Sequence, residues 1–177
     1  MEYPHLFEPI IIGNTMFKNR IFAAPTGHPD ATIEGNFAED VAPYYEQKAK
    51  GGAAAVTLGE AIVDSKYGKR HMFQLSLDCR HSVHTLAKVA DAIRRHGAVA
   101  SIELQHSGMN ATPGLDTPGV CEGSKIIYGP SPCIHNGNEI HEMPEEIIYE
   151  VIEKFAAAAK RVQELGFGMV TVHAGHA

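Results

Sequence analysis

Two histidines stand three residues apart in His173-Ala174-Gly175-His176, directly after an apolar run. Within an extended strand, residues three apart face opposite sides. A bend at Gly175 would bring both imidazoles to one spot. There their N–H groups could donate to an oxygen that gains negative charge and stabilise an enolate-like transition state. The competing reading is a pair of surface or metal-binding histidines; with His106 they would form a three-histidine metal site. A second constellation is Ile102-Glu103-Leu104-Gln105-His106-Ser107-Gly108. By strand alternation Glu103 and Gln105 share one face, and Ile102 and Leu104 the other. Polar groups at a strand end suit the edge of a heterocycle; the alternative is a strand end fraying into solvent. A third is Ala23-Ala24-Pro25-Thr26-Gly27. Its small residues and proline let a backbone approach a flat ligand, or simply make a turn.

Other segments mimic chemistry without its context. Gly166-Phe167-Gly168 opens like a dinucleotide fingerprint but precedes a strand instead of following one, so no phosphate cradle is expected. There is no GxxxxGK[ST] and no HExxH. Cys79 lies beside Arg80 and His81, a potentially activating neighbourhood, yet reads as a buried cysteine at a helix start. The three cysteines, Cys79, Cys121 and Cys133, form no CxxC pair. Neither a disulfide framework nor a structural zinc is expected, and a reducing cytoplasm is the expected location.

The elements that must position these groups follow from periodicity. Ile10-Ile11-Ile12, Gly13-Asn14 and Met16-Phe17 predict a hairpin. A strand is expected at about 20–24, and a helix over about 38–50 with Val41, Tyr44, Tyr45 and Ala49 on one face. Ala53–Leu58 reads as a strand buried on both faces, closed by Gly59-Glu60. A helix over about 82–96 carries Val83, Leu86, Val89, Ala90 and Ile93, and Gly97 ends it. Ala98–Leu104 is the next strand, followed by a long irregular segment to about Met143, of a length usually functional. Pro144 suits the first position of a third helix, with Glu145 and Glu146 at its positive end. Its expected buried face is Ile147, Ile148, Val151, Phe155, Ala158, Ala159 and Val162. Met169–Val172 is the last strand.

Strands alternating with helices predict a parallel sheet with right-handed crossovers. The polar residues Thr26, Glu60, Glu103, His106, His173 and His176 collect just after strands, where a (β/α)8 barrel carries its active site. A closed barrel needs eight strands and about 250 residues; this chain has 177 residues. An open flavodoxin-like sheet competes, but the chain does not end on a covering helix. The expected architecture is α/β, a TIM-barrel half: one unit spanning 1–177, with an N-terminal hairpin and about the first four β/α units of a (β/α)8 barrel. The net charge of −6, with 44% apolar and 20% charged residues, fits a globular protein and argues against nucleic-acid binding. No apolar run approaches the roughly 18 residues of a membrane span, and the N-terminus does not read as a secretory signal.

Taken together and in this order, the three constellations resemble the old yellow enzyme family of flavin oxidoreductases. Leu6-Phe7-Glu8-Pro9-Ile10, Lys18-Asn19-Arg20-Ile21, Gly129-Pro130-Ser131 and the run from Gly166 to His176 are also family-like. The flavour is closer to the 2,4-dienoyl-CoA reductase and enoate reductase branch. The resemblance implies a (β/α)8 barrel with FMN at its C-terminal rim. Ala24, Pro25, Thr26 and Gly27 would line the flavin, and Gly59, Glu60 and Ala61 would flank its ring. Glu103 falls where the family usually has a glutamine on the flavin pyrimidine edge. His173 and His176 match the pair that binds the substrate carbonyl.

The implied activity is an ene-reductase: NAD(P)H reduces FMN, and reduced FMN delivers hydride to an activated alkene such as an enoate, enone or dienoyl thioester. The family's second half-barrel supplies the FMN phosphate site, and longer members add an iron–sulfur site. This chain alone is therefore expected to be incomplete, and pairing of half-barrels in a homo-oligomer is one rescue. The alternatives are a non-catalytic half-barrel binding module and a metal-dependent hydrolase using His106, His173 and His176.

Overall fold

The computed structural model of the chain describes residues 3–27, 31–79 and 82–175. β1 (Ile10–Ile12) and β2 (Thr15–Phe17) form the expected hairpin, with Ile10 opposite Phe17. Gly13 turns it at φ 58°, a left-handed conformation that costs glycine little. Phe17 is buried against Ala54 and Ala55, with Ile10, Val99 and Met169 packed around them. These partners start the next strands, so the hairpin plugs the N-terminal end of the sheet.

β3 (Phe22–Gly27), α1 (Ala42–Lys50), β4 (Ala55–Ile62), α2 (Val83–Arg94) and β5 (Val99–Gln105) follow in strand–helix alternation. After β5 come three short strands: β6 (Ile127–Gly129), β7 (Cys133–His135) and β8 (Asn138–Glu142). α3 (Glu145–Glu164) and β9 (Met169–Val172) complete the order. The main sheet is parallel, in the order β3-β4-β5-β9. That order never reverses, which is barrel winding and not the doubly wound flavodoxin pattern. All three helices cover one face. Val56, Leu58, Ala100, Ile102 and Leu104 of the sheet join Tyr45, Leu86, Val89, Ile93, Ala158 and Val162 of the helices in one core. Complete burial of a Leu58 or an Ile102 contributes about 1.5–3 kcal/mol each.

Four expectations need correction. Gly59 and Glu60 do not close β4 but lie inside it, because β4 is hydrogen-bonded on both sides and absorbs an irregularity between Leu58 and Ala61. The segment after β5 is not irregular throughout. β6, β8 and β7 form a small sheet in that order, and β7 turns into β8 through Asn136 (φ 49°) and Gly137 (φ 78°). Pro144 stands just before α3, as its cap, and Ile148 is 42% exposed instead of buried, because that turn of α3 overhangs a cavity. β9 is an edge strand whose Val170 and Val172 are exposed. Among the described residues no helix is long and apolar enough to cross a membrane.

Candidate active site at the carboxyl ends of the parallel strands

β3, β4 and β5 meet at Gly59. A Cβ there would lie 3.0 Å from the Pro25 side chain, 3.0 Å from the Thr26 backbone nitrogen and 3.2 Å from Glu103 Oε2. Only a residue without a side chain lets these strand ends close up. Pro25 sits at the irregularity of β3 between Ala23 and Thr26, where no ladder donor is required of it. Ala24, Pro25, Thr26 and Gly27 are all exposed. The buried Tyr45 of α1 donates from its hydroxyl to the Thr26 carbonyl at 3.2 Å and supports this strand end from below. Burial pushes its phenol well above the ordinary range.

The register of β5 with β9 brings in the first histidine. Glu103 pairs with Thr171, and the His173 backbone N–H donates to the Leu104 carbonyl at 2.9 Å. Residues 103, 171 and 173 therefore share the face opposite the helices. His173 Nδ1 lies 3.0 Å from Glu103 Oε1, with the two side chains 21% and 12% exposed. His176 lies outside the described residues.

Beside this pair opens a cavity of about 400 Å³. Its floor is the end of β5 and the turn after it, from Gln105 to Asn110, with His173 and Ala174. Its roof is Tyr128 and Gly129 of β6 with Pro130 just after it, Glu142 at the end of β8 with Met143 just after it, and Ile148 of α3; Arg70 closes one side. Gly129 allows the roof to sit tightly, since a Cβ there would fall 2.8 Å from Ile140 Cγ2. Gln105 is buried with its Oε1 unpaired.

The loops above the sheet are held by buried polar groups. Asp64 is fully buried; its Oδ1 accepts from the Lys66 and Tyr67 N–H groups and from Lys154 Nζ at 2.8 Å. Burial opposes its ionisation, but His106 and Lys154 outweigh that and hold the carboxyl at about 2. The Lys154 contact is a hydrogen bond, whereas His106 Nε2 stands off at 3.6 Å from Oδ2. Lys69 is buried too, donating to the Asp116 carbonyl and Thr117 Oγ1, and burial lowers its ammonium below the ordinary range.

The structure thus brings Pro25, Thr26, Gly59 and Glu103 together and joins them to His173. It does not gather every candidate. The Ala61 side chain is buried in the helix-side core, so only its backbone can reach the rim. Glu60 Oε1 lies 3.6 Å from His71 Nε2, facing the loop after β4. His106 accepts from the Gly108 N–H at Nδ1 and faces Asp64 with Nε2, so both ring nitrogens are directed at protein groups. No group of three His, Cys, Asp or Glu able to hold a metal occurs among the described residues. Cys79 is buried, its thiol 3.6 Å from Asn36 Oδ1. The cavity roof and Arg70 were not foreseen. The signal for the roof was Asn136-Gly137, the strongest short hairpin signal a sequence carries.

Residues 5–177 match the NADH:flavin oxidoreductase / NADH oxidase family, and the chain belongs to it. It is 30% identical over 175 residues to an NADH oxidase of Thermoanaerobacter brockii, covering 99% of this chain and 26% of that protein. It is 30% identical over 172 residues to an NADPH dehydrogenase of Listeria monocytogenes serotype 4a, covering 97% and 48%. Among solved structures, a 2-naphthoyl-CoA reductase in complex with 2-naphthoyl-CoA superposes with a TM-score of 0.84 at 26% identity, covering 96% of this chain and 27% of that one. An old yellow enzyme from a Pichia species gives 0.82 at 24% identity, covering 96% and 45%. The chain therefore spans about a quarter to about half the length of these relatives, and its sheet is part of a TIM barrel.

The residues present fit the ring of FMN, the cofactor this family implies. The close approach at Gly59 leaves a side-chain-free patch on which a flat ring can lie. Glu103 offers an acceptor for a ring N–H, and Gln105 adds an amide with a buried, unpaired oxygen.

Proposed function

We propose that this chain provides the ring-holding and substrate-holding part of an FMN-dependent NAD(P)H oxidoreductase of the ene-reductase type. The observation that carries this reading is the convergence of Pro25, Thr26, Gly59 and Glu103 with His173 beside the 400 Å³ cavity. FMN, when bound, supplies the two-electron hydride chemistry. The backbone at residues 24–27 and 59–61 offers contact to the ring, and Glu103 accepts a hydrogen bond from it. His173, with His176, holds the carbonyl or other activating oxygen of an alkene through N–H donation, which strengthens as that oxygen gains charge. Met109, Met143 and Ile148 give the cavity apolar surface for the carbon skeleton of such a substrate.

The test is a visible-absorption titration of the purified chain with FMN, followed by anaerobic addition of NADPH and then of a cyclic enone. The expected result is a protein-bound flavin spectrum that bleaches with NADPH and returns with the enone. Gly59→Val, which places a side chain where Pro25, Thr26 and Glu103 already crowd, abolishes ring binding. A chain that leaves the FMN spectrum unchanged overturns the proposal. Two copies pairing their open sheet edges would complete the ring of strands. Gel filtration of the flavin-loaded chain as a monomer overturns that part alone.

A further inference from the structure

Arg70 stands on the cavity wall, and its backbone is fixed on both sides. Its N–H donates to Gln74 Oε1 at 2.9 Å, and its carbonyl accepts from Thr112 Oγ1 at 2.8 Å. Just before it, the Lys69 carbonyl accepts from the Thr112 N–H at 2.9 Å and the Gly68 carbonyl from the Ser107 N–H at 3.2 Å. Gly68 lies so close to the turn after β5 that a Cβ there would fall 2.9 Å from His106 Cδ2. The loop that carries Arg70 is thus bolted to the floor of the cavity. Its side chain is left differently from those of the other described arginines. Arg20, Arg94 and Arg95 reach Glu8, Asp91 and Glu46 at 3.8, 3.6 and 3.6 Å, and Arg161 donates to the Leu77 carbonyl. The Arg70 guanidinium has neither an ion pair nor a hydrogen bond among the described residues.

A guanidinium carries five donors in a planar fork, has no acceptor and keeps its charge throughout the working pH range of a protein. That fork matches a carboxylate through two parallel hydrogen bonds. Resting on the function proposed above, we infer that Arg70 is a specificity-determining residue that takes the carboxylate of the substrate: the alkene this site prefers carries a free carboxylate in addition to the oxygen held at His173. Arg70 and His173 line one cavity, so a small molecule that fills it meets both. The loop is bolted before the substrate arrives, and no backbone has to be ordered to place the cation.

The other ionisable groups at the cavity direct an anion to the same place. Glu142, on the roof, makes no ion pair with Arg70 and repels a carboxylate from its own side. His106 is turned to the Gly108 N–H and to Asp64. His71, next to Arg70 in the chain, faces Glu60 at 3.6 Å, and Glu103 faces His173 at 3.0 Å. Neither of those carboxylates neutralises Arg70, which is the one permanent cation among the residues that line the cavity.

The experiment has two arms, and both compare trans-4-oxo-2-pentenoate with its methyl ester, the same skeleton without the charge. The first uses the 177-residue chain without flavin, with ¹⁵N-labelled arginine, and follows the side-chain Nε–H signals at mildly acidic pH as each compound is added. Arg70→Gln assigns the signal. The expected result is a shift of the Arg70 signal with the acid and none with the ester. A signal that stays still, or that moves equally with both, overturns the inference. The second arm measures kcat/KM of the flavin-loaded protein for the two compounds. Arg70→Gln lowers the acid-to-ester ratio about tenfold, the low end for a charge-assisted hydrogen bond because Arg70 is exposed. The loss falls on KM of the acid and not on kcat, as for a group held equally before and during the reaction. Arg70→Lys keeps the charge without the fork and recovers part of the ratio. An unchanged ratio overturns the inference. So does a rise in KM for NADPH alone, which would put a nucleotide phosphate at Arg70. Failure of the FMN titration would overturn the proposed function while leaving the arginine readout intact, so the two failures are distinguishable.

Discussion

The two sides of the strand ends are held by opposite kinds of interaction. Beneath them, between sheet and helices, the molecule is held by apolar burial: Leu58, Ile102, Leu86, Ile93 and Val162 are all fully buried. Above them, the loops that close the cavity are held by buried charges and amides. Asp64 gathers Lys66, Tyr67 and Lys154; Lys69 gathers Asp116 and Thr117; the Gln74 side chain accepts from the Arg70 and His71 N–H groups. Apolar packing is non-directional and tolerates a range of shapes, whereas a buried hydrogen-bonded charge tolerates one geometry and fails sharply when a partner is lost. The scaffold is thus robust, and the ceiling of the site is specific and sensitive to pH.

The largest effect should come from the apolar side. Ile102→Ala should lower unfolding free energy by about 2–5 kcal/mol, read from the urea midpoint at unchanged slope. Asp64→Asn comes next, at about 3 kcal/mol, because it leaves Lys154 without its counter-charge. Its signature should be local. Amide exchange rises in residues 63–79 and 106–126 and stays slow in β4 and β5; uniform loss of protection would erase the distinction between the two sides.

Acid should reproduce the second effect more gently. Asp64 sits at about 2 in the folded chain, below its ordinary value of 3.8. A depressed carboxyl contributes its stability above the unfolded value and loses it as pH falls through the folded one. Between pH 4 and 2 the chain should therefore lose about 2 kcal/mol through this group. Acid unfolding curves of wild type and Asp64→Asn should converge over that window. The smallest effect on stability belongs to Ile148→Ala, at most about 0.5 kcal/mol, since Ile148 is 42% exposed. The same change should weaken apolar ligands in the cavity, read by calorimetry. A large loss of stability instead would mean that the roof, too, is an apolar core.

How much of this was legible beforehand differs by region for the same reason. The hairpin at 10–17, the helices and the parallel order announced themselves through periodicity, because an apolar face must recur with the period of its element. The alternation in β5 separated Glu103 and Gln105 from Ile102 and Leu104, as the structure also has it. The roof was not legible, although Asn136-Gly137 marked its turn, because three strands of three to five residues carry too few repeats to show a period. Ala61 could not be placed from sequence either. A strand irregularity between Leu58 and Ala61 resets the alternation, and that reset depends on both neighbouring strands.

The sequence by itself determined the α/β class, the winding of the chain and the short list of polar groups at the strand ends, since each depends on local pattern and spacing. Tertiary structure alone decided which of those groups meet. Glu103 and His173 are seventy residues apart in the chain and 3.0 Å apart in space, because the register of two parallel strands sets them on one face. Lys154 reaches Asp64 across ninety residues, because a helix and a loop pack over the same sheet. Such pairings leave no periodic trace in either segment, and hydrogen bonding between distant elements exists only once the core has placed them.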